Sequence, residues 1–206
     1  MQTISDKIKR KIKRGKRGTL YFTSDFSKLG DRKTISRILL QLSKSNFIVH
    51  YLRGVYYYPI IDRKYGVMLC GWENVAKEIA KRKNMRLAKT AAYAQNALGL
   101  STQVPCNVVY LTDGKSRTIY NLEGRRVIQF KHVAPKNFKY KSEFVQLIVF
   151  ALDDFGEESV NNYIINSYEF NRVKTALLAQ VTKETVLSDL QYAPVWIQKI
   201  IESFYD

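Results

Sequence analysis

The strongest helical pattern of the chain lies in residues 31–45, which read DRKTISRILLQLSKS. Asp31 can cap a helix at its start, because a short carboxylate accepts hydrogen bonds from the free backbone N–H groups of the first turn. Apolar residues follow at the i, i+3, i+4, i+7 spacing that aligns side chains on one helix face. They are Ile35, Ile38, Leu39 and Leu42. The spacing predicts a helix packed against a core on one side.

The opposite face of this predicted helix is polar and mostly basic. It presents Arg32, Lys33, Ser36, Arg37, Gln41 and Lys44. Long side chains that donate hydrogen bonds can reach phosphates or the acceptor edges of bases in a major groove. We therefore expect these residues to face DNA.

The flanking sequence predicts the elements that usually surround such a recognition helix. Thr3 and Asp6 have the spacing of a capping box, and Arg53-Gly54 is typical of a tight hairpin turn. The predicted elements are, in order, a helix over 3–14, a strand over 19–22, a short helix over 23–29, the basic helix, and strands over 47–52 and 55–59. This order is that of a winged helix-turn-helix, in which the third helix enters the groove and the hairpin lies along the backbone. A basic helix beside a hairpin with no ligand remains the alternative.

A second set of basic residues precedes and follows the recognition helix. We expect these side chains, on the first helix, the following arm and the wing tip, to contact phosphates. They are Lys9, Arg10, Lys13, Arg14, Lys16, Arg17 and Arg53.

The charge of the chain is uneven. Its formal net charge of +16 comes from 34 Lys and Arg against 18 Asp and Glu. Residues 1–64 have a net charge of +12, residues 65–141 of +10, and residues 142–206 of −6. A polyanion is therefore the expected partner, and the first two-thirds of the chain is the expected binding surface.

Apolar runs, the N-terminal residues and the cysteines indicate the cellular location expected for the protein. The longest apolar runs fall far short of the roughly 20 residues that a membrane span needs, and the basic N-terminus lacks the apolar segment of a signal peptide. The first helix has a narrow stripe of three isoleucines and no Trp or Phe to insert, which disfavours a membrane surface. Cys70 and Cys106 form no Cys-x-x-Cys pair, so we expect reduced, buried thiols in a cytoplasmic protein.

The rest of the chain predicts an α+β fold with three parts. Residues 1–64 form the winged helix-turn-helix. Residues 65–141 form a mixed domain with helices over 72–83 and 89–98 and a small antiparallel sheet of strands 107–112, 117–122 and 126–132. Residues 142–206 form a helical C-terminal region, because apolar stripes recur there at helical spacing.

The mixed domain contains a second candidate surface. Polar and basic residues occur in the loop after its second helix and along the predicted strands. They are Ser101, Thr102, Gln103, Arg117, Lys131 and His132. A sheet with ordinary charged outward positions explains the basic ones equally well.

The sequence gives little indication of catalysis. His50 and His132 lie about eighty residues apart, and neither a phosphate-binding glycine loop nor a nucleophile elbow is present. The remaining candidate is a metal-dependent nuclease that uses Asp113 and Glu123, but turns at Asp113-Gly114 and Glu123-Gly124 explain both carboxylates without chemistry. We therefore expect no enzyme activity, no cofactor and no metal site.

Several strings resemble a known family. Residues 14–22 (RGKRGTLYF), Asp25-Phe26, Gly30, Leu42 and residues 53–59 (RGVYYYP) resemble the N-terminal domain of AbiEi-family antitoxins of bacterial type IV toxin–antitoxin systems. Further strings resemble the second domain of a subgroup of that family: residues 97–105 (ALGLSTQVP), 110–114 (YLTDG), 130–132 (FKH) and 134–137 (APKN). The resemblance covers roughly residues 5–140.

The resemblance implies a transcriptional autorepressor that binds an operator in double-stranded DNA. It also implies neutralisation of a nucleotidyltransferase-like toxin, which such an antitoxin need not hold in a stoichiometric complex. One helix-turn-helix reads one half-site, so we expect inverted repeats and a second copy of the chain, as a dimer or by cooperative loading. The alternative is an antitoxin that binds its toxin directly through residues 65–206 and has no DNA-binding role.

Overall fold

A computed structural model describes residues 3–104 and 108–205. It is a mixed α+β fold with small antiparallel sheets and C-terminal helices. The described chain divides into two compact units. The first runs to Lys83 and includes Thr118–Ile128, and the second comprises Asn84–Arg117 and the residues from Gln129 onward. The domain boundaries expected at 64/65 and 141/142 stay predictions. The predictions of a buried thiol at Cys106 and of a strand that begins at residue 107 fall on residues 105–107, which lie outside the described residues.

The first unit contains the elements that the sequence predicts for its N-terminal part. They are α1 (Ile4–Arg14), β1 (Thr19–Phe22), a 3₁₀-helix (Thr23–Leu29), α2 (Arg32–Lys44), β2 (Val49–Leu52) and β3 (Val55–Tyr58). The three strands form one antiparallel sheet in the order β1–β3–β2. Gly54 adopts a φ of +77° at the β2–β3 turn, a conformation that favours glycine.

Local hydrogen bonds start both helices as predicted. The Thr3 hydroxyl accepts a bond from the Asp6 N–H, and the Asp6 carboxylate accepts one from the Thr3 N–H, each at 3.1 Å. The Asp31 carboxylate accepts a bond from the Thr34 N–H at 2.9 Å. The capping box of α1 and the cap of α2 are therefore confirmed.

The core of the first unit lies between α1, the 3₁₀-helix, α2 and the sheet. Its fully buried side chains are Ile8, Ile12, Phe26, Ile35, Leu39 and Ile48. The stripe predicted on α2 is buried at all four positions. Since one face of each helix packs inward, the basic residues of α1 and α2 occupy the outer faces.

A tight contact joins the end of α1 to β1. A Cβ added at Gly15 would lie 1.9 Å from the hydroxyl oxygen of Tyr21, whose ring is buried and packs against Phe26. The backbone of Gly15 is extended, so the requirement for glycine is one of space.

We expect Gly15→Ala to lower the free energy of unfolding by about 1–3 kcal/mol, because the buried Tyr21 ring cannot move aside without straining the core. Urea denaturation measures the change. Adding Tyr21→Phe removes the clashing oxygen and should restore most of the loss. A double variant that is no more stable than Gly15→Ala alone would contradict this explanation.

Two further strands and a helix complete the described part of the first unit up to Lys83. β4 (Ile60–Asp62) and β5 (Gly66–Met68) pair as a separate antiparallel hairpin, which is not among the elements predicted from the sequence. α3 (Trp72–Arg82) follows close to its predicted bounds, with Val75 and Ile79 buried. The indole of Trp72 packs edge-on against Tyr51, with ring centroids 5.2 Å apart.

The last residue of α3 contacts the segment where β1 meets the 3₁₀-helix. The Arg82 guanidinium lies 4.0 Å from the centroid of the Phe22 ring and forms an ion pair with Asp25. The Asp25 carboxylate also accepts a bond of 2.8 Å from the Phe22 N–H, which starts the 3₁₀-helix. Glu78 holds the same guanidinium from one turn earlier, at 2.8 Å.

The remaining strands form a four-stranded sheet. They are β6 (Leu87–Lys89), β7 (Val108–Thr112), β8 (Arg117–Tyr120) and β9 (Arg126–His132), in the order β6–β7–β9–β8. The prediction that Asp113-Gly114 joins two paired strands is wrong, because β9 lies between β7 and β8. The prediction of a helix from Lys89 is also too long: Leu87–Lys89 pairs with β7, and α4 covers Ala91–Ala97.

The second unit ends in helices, as predicted. They are α5 (Glu143–Phe155), α6 (Glu157–Ser159) with a π-turn over Val160–Ile164, α7 (Tyr168–Gln180), α8 (Lys183–Leu190) and α9 (Val195–Glu202). Their buried side chains include Ile148, Leu152, Leu177 and Ile197. Tyr163, which shares the helical spacing of the apolar residues Val160 and Ile164, is 77% exposed, so the stripe expected from that spacing is not buried at this position.

One carboxylate is fully buried within this helical part. Asp189 on α8 accepts bonds from the backbone N–H groups of Lys141 and Ser142, each at 2.8 Å. It thereby fixes the chain that enters α5. A neighbouring phenol, that of Tyr140, has its pKa raised to about 12, first by burial and then by the charges of Asp189 and Asp153.

Candidate nucleic-acid interface

The outer face of α2 presents the residues predicted to face DNA. Arg32, Lys33, Arg37, Gln41 and Lys44 are exposed, and Ser36 is half-buried. Because the buried stripe of α2 anchors the helix from the other side, these side chains extend from a fixed backbone.

The first turn of α2 has an unusual charge. It contains Arg32 and Lys33 and no acidic residue. Cations at a helix N-terminus are disfavoured by the helix dipole, whereas anions are favoured there. The two residues therefore do not stabilise the helix itself. The Asp31 carboxylate caps this end through the Thr34 N–H, so the exposed Arg32 and Lys33 side chains, rather than the helix terminus, are what a phosphate would contact.

The predicted phosphate contacts lie on three segments of the first unit. Lys9, Arg10, Lys13 and Arg14 are exposed on α1, Lys16 is exposed after it, and Arg53 is exposed at the β2–β3 turn. The β2–β3 turn is held in place, since the Thr23 N–H donates to the carbonyl of Gly54 at 3.0 Å.

Arg17 is held more firmly than the sequence suggests. Its Nη1 donates to the carbonyl of Pro59 at 2.8 Å, and its guanidinium lies 4.7 Å from the centroid of the Tyr58 ring. Arg17 therefore fastens the arm to the end of β3, and only the remaining donors of its guanidinium are available to a ligand.

An open concavity of about 360 Å³ lies at the C-terminal end of α2. Its lining comprises Ser43, Lys44, Asn46, Ile48, Val49, His50, Pro59 and Val67. Sequence reasoning considered His50 only as a metal ligand. The ring stacks on Tyr56 at a centroid distance of 4.6 Å, and its Nε2 is buried without a hydrogen-bond partner among the described residues.

Burial lowers the pKa of His50 from its usual 6.5, against a smaller opposing effect of a backbone hydrogen bond at Leu52. Since the folded pKa lies below the unfolded one, protonation favours the unfolded chain. The free energy of unfolding should therefore fall as pH drops through about 6.5 toward the folded pKa. Urea denaturation between pH 7.5 and 5 measures this. His50→Phe keeps the ring stack and should lose less stability over that range, and an equal loss in both proteins would contradict the role of His50.

The second candidate surface separates into two groups. Arg117 begins β8, and Lys131 and His132 end β9, where the His132 N–H donates to the Ser116 hydroxyl at 2.9 Å. All three side chains are exposed at this end of the sheet.

The loop residues form the other group. Ser101, Thr102 and Gln103 follow α4 without regular structure. The Ser101 N–H donates to the carbonyl of Gln95 at 3.1 Å, and the Asn96 amide donates to the carbonyl of Ser101 at 3.3 Å. These bonds hold the loop to the end of α4.

Both carboxylates of the nuclease alternative have basic partners. Asp113 accepts bonds from the Arg86 Nε at 2.7 Å and from the Arg86 N–H at 2.8 Å, which lower the pKa of that carboxyl. Glu123 pairs with Arg125 at 3.4 Å. Within residues 3–104 and 108–205, no three His, Cys, Asp or Glu side chains are grouped as metal ligands.

Cys70 is a free, half-buried thiol rather than a fully buried one. Burial raises its pKa, opposed by a hydrogen bond involving Asn74. The carbonyl of Cys70 accepts a bond of 2.5 Å from the Tyr51 hydroxyl. This thiol is therefore not activated as a nucleophile.

The fold and the surface together define an α+β protein whose first unit presents a basic helix, a basic arm and a hairpin. The chain belongs to a family described as a family of unknown function, DUF6088, whose model matches residues 7–185. No curated protein and no solved structure matches it. In the part of the chain that the structure describes, no helix combines the length and apolar character needed to cross a membrane.

Proposed function

We propose that this chain is a sequence-specific double-stranded-DNA-binding protein that acts as a transcriptional autorepressor and antitoxin, similar to the AbiEi antitoxins of type IV toxin–antitoxin systems. The observation that carries the proposal is the division of α2 into a fully packed apolar face and an exposed face of basic and amide side chains. Such a helix is suited to a major groove.

The order of elements around α2 supports a winged helix-turn-helix. α1, the 3₁₀-helix and α2 surround one core, and β2 and β3 form a hairpin whose tip exposes Arg53. In this interpretation α2 is the recognition helix and the β2–β3 hairpin is the wing.

The positive charge of the first unit supports DNA, a polyanion, over a neutral or basic ligand. Residues 1–64 have a net charge of +12, and the cations of α1, the arm and α2 are exposed. Release of counterions from neutralised phosphates then supplies affinity that does not depend on sequence, while base contacts from α2 supply the preference.

The proposed autorepression and antitoxin roles are based on the resemblance to AbiEi antitoxins. Autorepression needs an operator upstream of the gene, and inverted repeats would place two copies of α2 on successive half-sites. The cognate toxin would be nucleotidyltransferase-like, and the second unit, with Arg117, Lys131 and His132 exposed at one end of its sheet, is the candidate antitoxin part.

Fluorescence anisotropy with the DNA immediately upstream of the gene tests the proposal, against a scrambled duplex of the same composition. At physiological salt we expect the upstream duplex to bind at least about 10³-fold more tightly. Equal affinity for both duplexes would overturn sequence-specific repression. Lack of DNA binding together with capture of the neighbouring gene product by residues 65–206 would favour the antitoxin that acts by protein contact alone.

A further inference from the structure

The β4–β5 hairpin is not explained by the packing of the first unit. Its strands are only three residues each and pair with one another alone. Five of these six residues are exposed, and the apolar ones among them are 43–56% exposed. An isolated two-stranded hairpin is marginally stable in water, so a hairpin kept in this form indicates a surface that a ligand covers.

The tip of this hairpin is ordered and basic. One carboxylate oxygen of Asp62 accepts bonds from the N–H groups of Lys64 and Tyr65, at 2.7 and 2.8 Å. Gly66 closes the turn with a φ of +73°. Because the single acidic side chain is engaged with the turn backbone, the exposed Arg63 and Lys64 set the charge that the tip presents.

The hairpin adjoins two of the proposed DNA-contacting segments. Gly18 packs against the Ile60 side chain, since a Cβ at Gly18 would lie 3.2 Å from its Cδ1. Arg17 bonds the neighbouring carbonyl of Pro59. Val67 and Pro59 line the same concavity as Lys44 at the end of α2. The hairpin is thus continuous with both the arm and the recognition helix.

We propose that the β4–β5 hairpin is a second DNA-contacting ribbon, which extends the interface beyond the C-terminal end of α2. Arg63 and Lys64 contact phosphates, and the apolar side chains of the two strands face the groove. The major groove of B-DNA admits a two-stranded ribbon, and apolar side chains contact the thymine methyl group there. This inference rests on the proposed DNA-binding function.

The alternative ligand for an apolar hairpin is a second copy of the chain. The basic tip and its continuity with Arg17 and Lys44 favour DNA, because those features add nothing to an apolar contact between copies.

The test compares Arg63→Gln/Lys64→Gln with Lys183→Gln/Lys199→Gln, which removes the same charge from exposed residues of the acidic C-terminal helices. Anisotropy is measured from 50 to 300 mM salt on the upstream duplex and on the scrambled duplex, with thermal melting to verify folding. We expect the hairpin variant to weaken binding to both duplexes by a similar factor, about 10-fold or more. Its slope of log K against log salt should be shallower by about 1.8, which is two phosphate contacts. We expect the control variant to have the affinity and the salt slope of the wild type on both duplexes.

Each other outcome overturns the inference in an identifiable way. A hairpin variant that binds DNA like the wild type, or a control variant that loses as much, would refute the ribbon alone. Absence of DNA binding by the wild-type chain would refute the proposed function and the ribbon with it. Ile61→Ser/Val67→Ser provides the remaining comparison: if it abolishes a wild-type dimer in sedimentation while DNA affinity is kept, the hairpin is an interface between copies.

Discussion

Replacing Arg37 with alanine should weaken binding to the upstream duplex by about 1–3 kcal/mol and leave binding to the scrambled duplex nearly unchanged, if its guanidinium bonds a guanine. Arg37 is exposed in the middle of α2, between two turns anchored by Ile35 and Leu39. Its guanidinium can therefore reach a base edge from a fixed position. Competition anisotropy with single-base substitutions in the operator should identify one base pair at which a substitution lowers the affinity of the wild type but not that of Arg37→Ala.

Lys13→Ala provides the matched comparison, because Lys13 is also exposed and basic but lies on α1. It should weaken both duplexes by the same factor and make the salt slope shallower by about 0.9, which is one phosphate contact. Equal losses on specific and scrambled DNA for both variants would show that Arg37 does not read sequence.

Replacing Asp189 with alanine should lower the free energy of unfolding by about 3–5 kcal/mol. The carboxylate is fully buried and accepts the N–H groups of Lys141 and Ser142. Alanine removes the acceptor of both N–H groups and the residue that fixes the start of α5, and each hydrogen bond to a charged group contributes about 1.5–3 kcal/mol. Urea denaturation followed by circular dichroism measures the loss.

Asp189→Asn is the control for shape. Its amide has one acceptor oxygen, so it should keep one of the two bonds and lose less stability than alanine. If Asp189→Ala has the same urea midpoint of unfolding as the wild type, water replaces the carboxylate. Asp189 would then have no structural role.

Elements set by neighbouring residues were predictable from the sequence. The capping box of α1 and the cap of α2 depend on side chains three residues apart, and the buried stripe of α2 follows from its period. β9 also has its predicted bounds, Arg126–His132. Each of these features is decided within one or two turns of chain.

Features that depend on distant residues were not predictable. β9 lies between β7 and β8 in the sheet. The turn residues between consecutive strands do not determine which strands pair, so this order could not be predicted from them. The role of Asp189 depends on N–H groups nearly fifty residues earlier. The β4–β5 hairpin was missed because its apolar run lacks the alternation that marks a half-buried strand.

The candidate site shows the same division. The outer face of α2 follows from local periodicity: five of the six residues named from the sequence are exposed, and Ser36 is half-buried. The bond of Arg17 to Pro59 and the shared concavity of Lys44 and Val67 join residues that are distant in sequence, so both require the tertiary fold.

The contacts of Arg82 have a consequence for how the first unit unfolds. Its guanidinium covers the Phe22 ring and neutralises Asp25, the residue that starts the 3₁₀-helix. A chain cut after residue 64 would lack this cation and the contact that it makes with the start of the 3₁₀-helix. The 3₁₀-helix and α3 are therefore coupled, and we expect them to open together in hydrogen exchange as one cooperative segment.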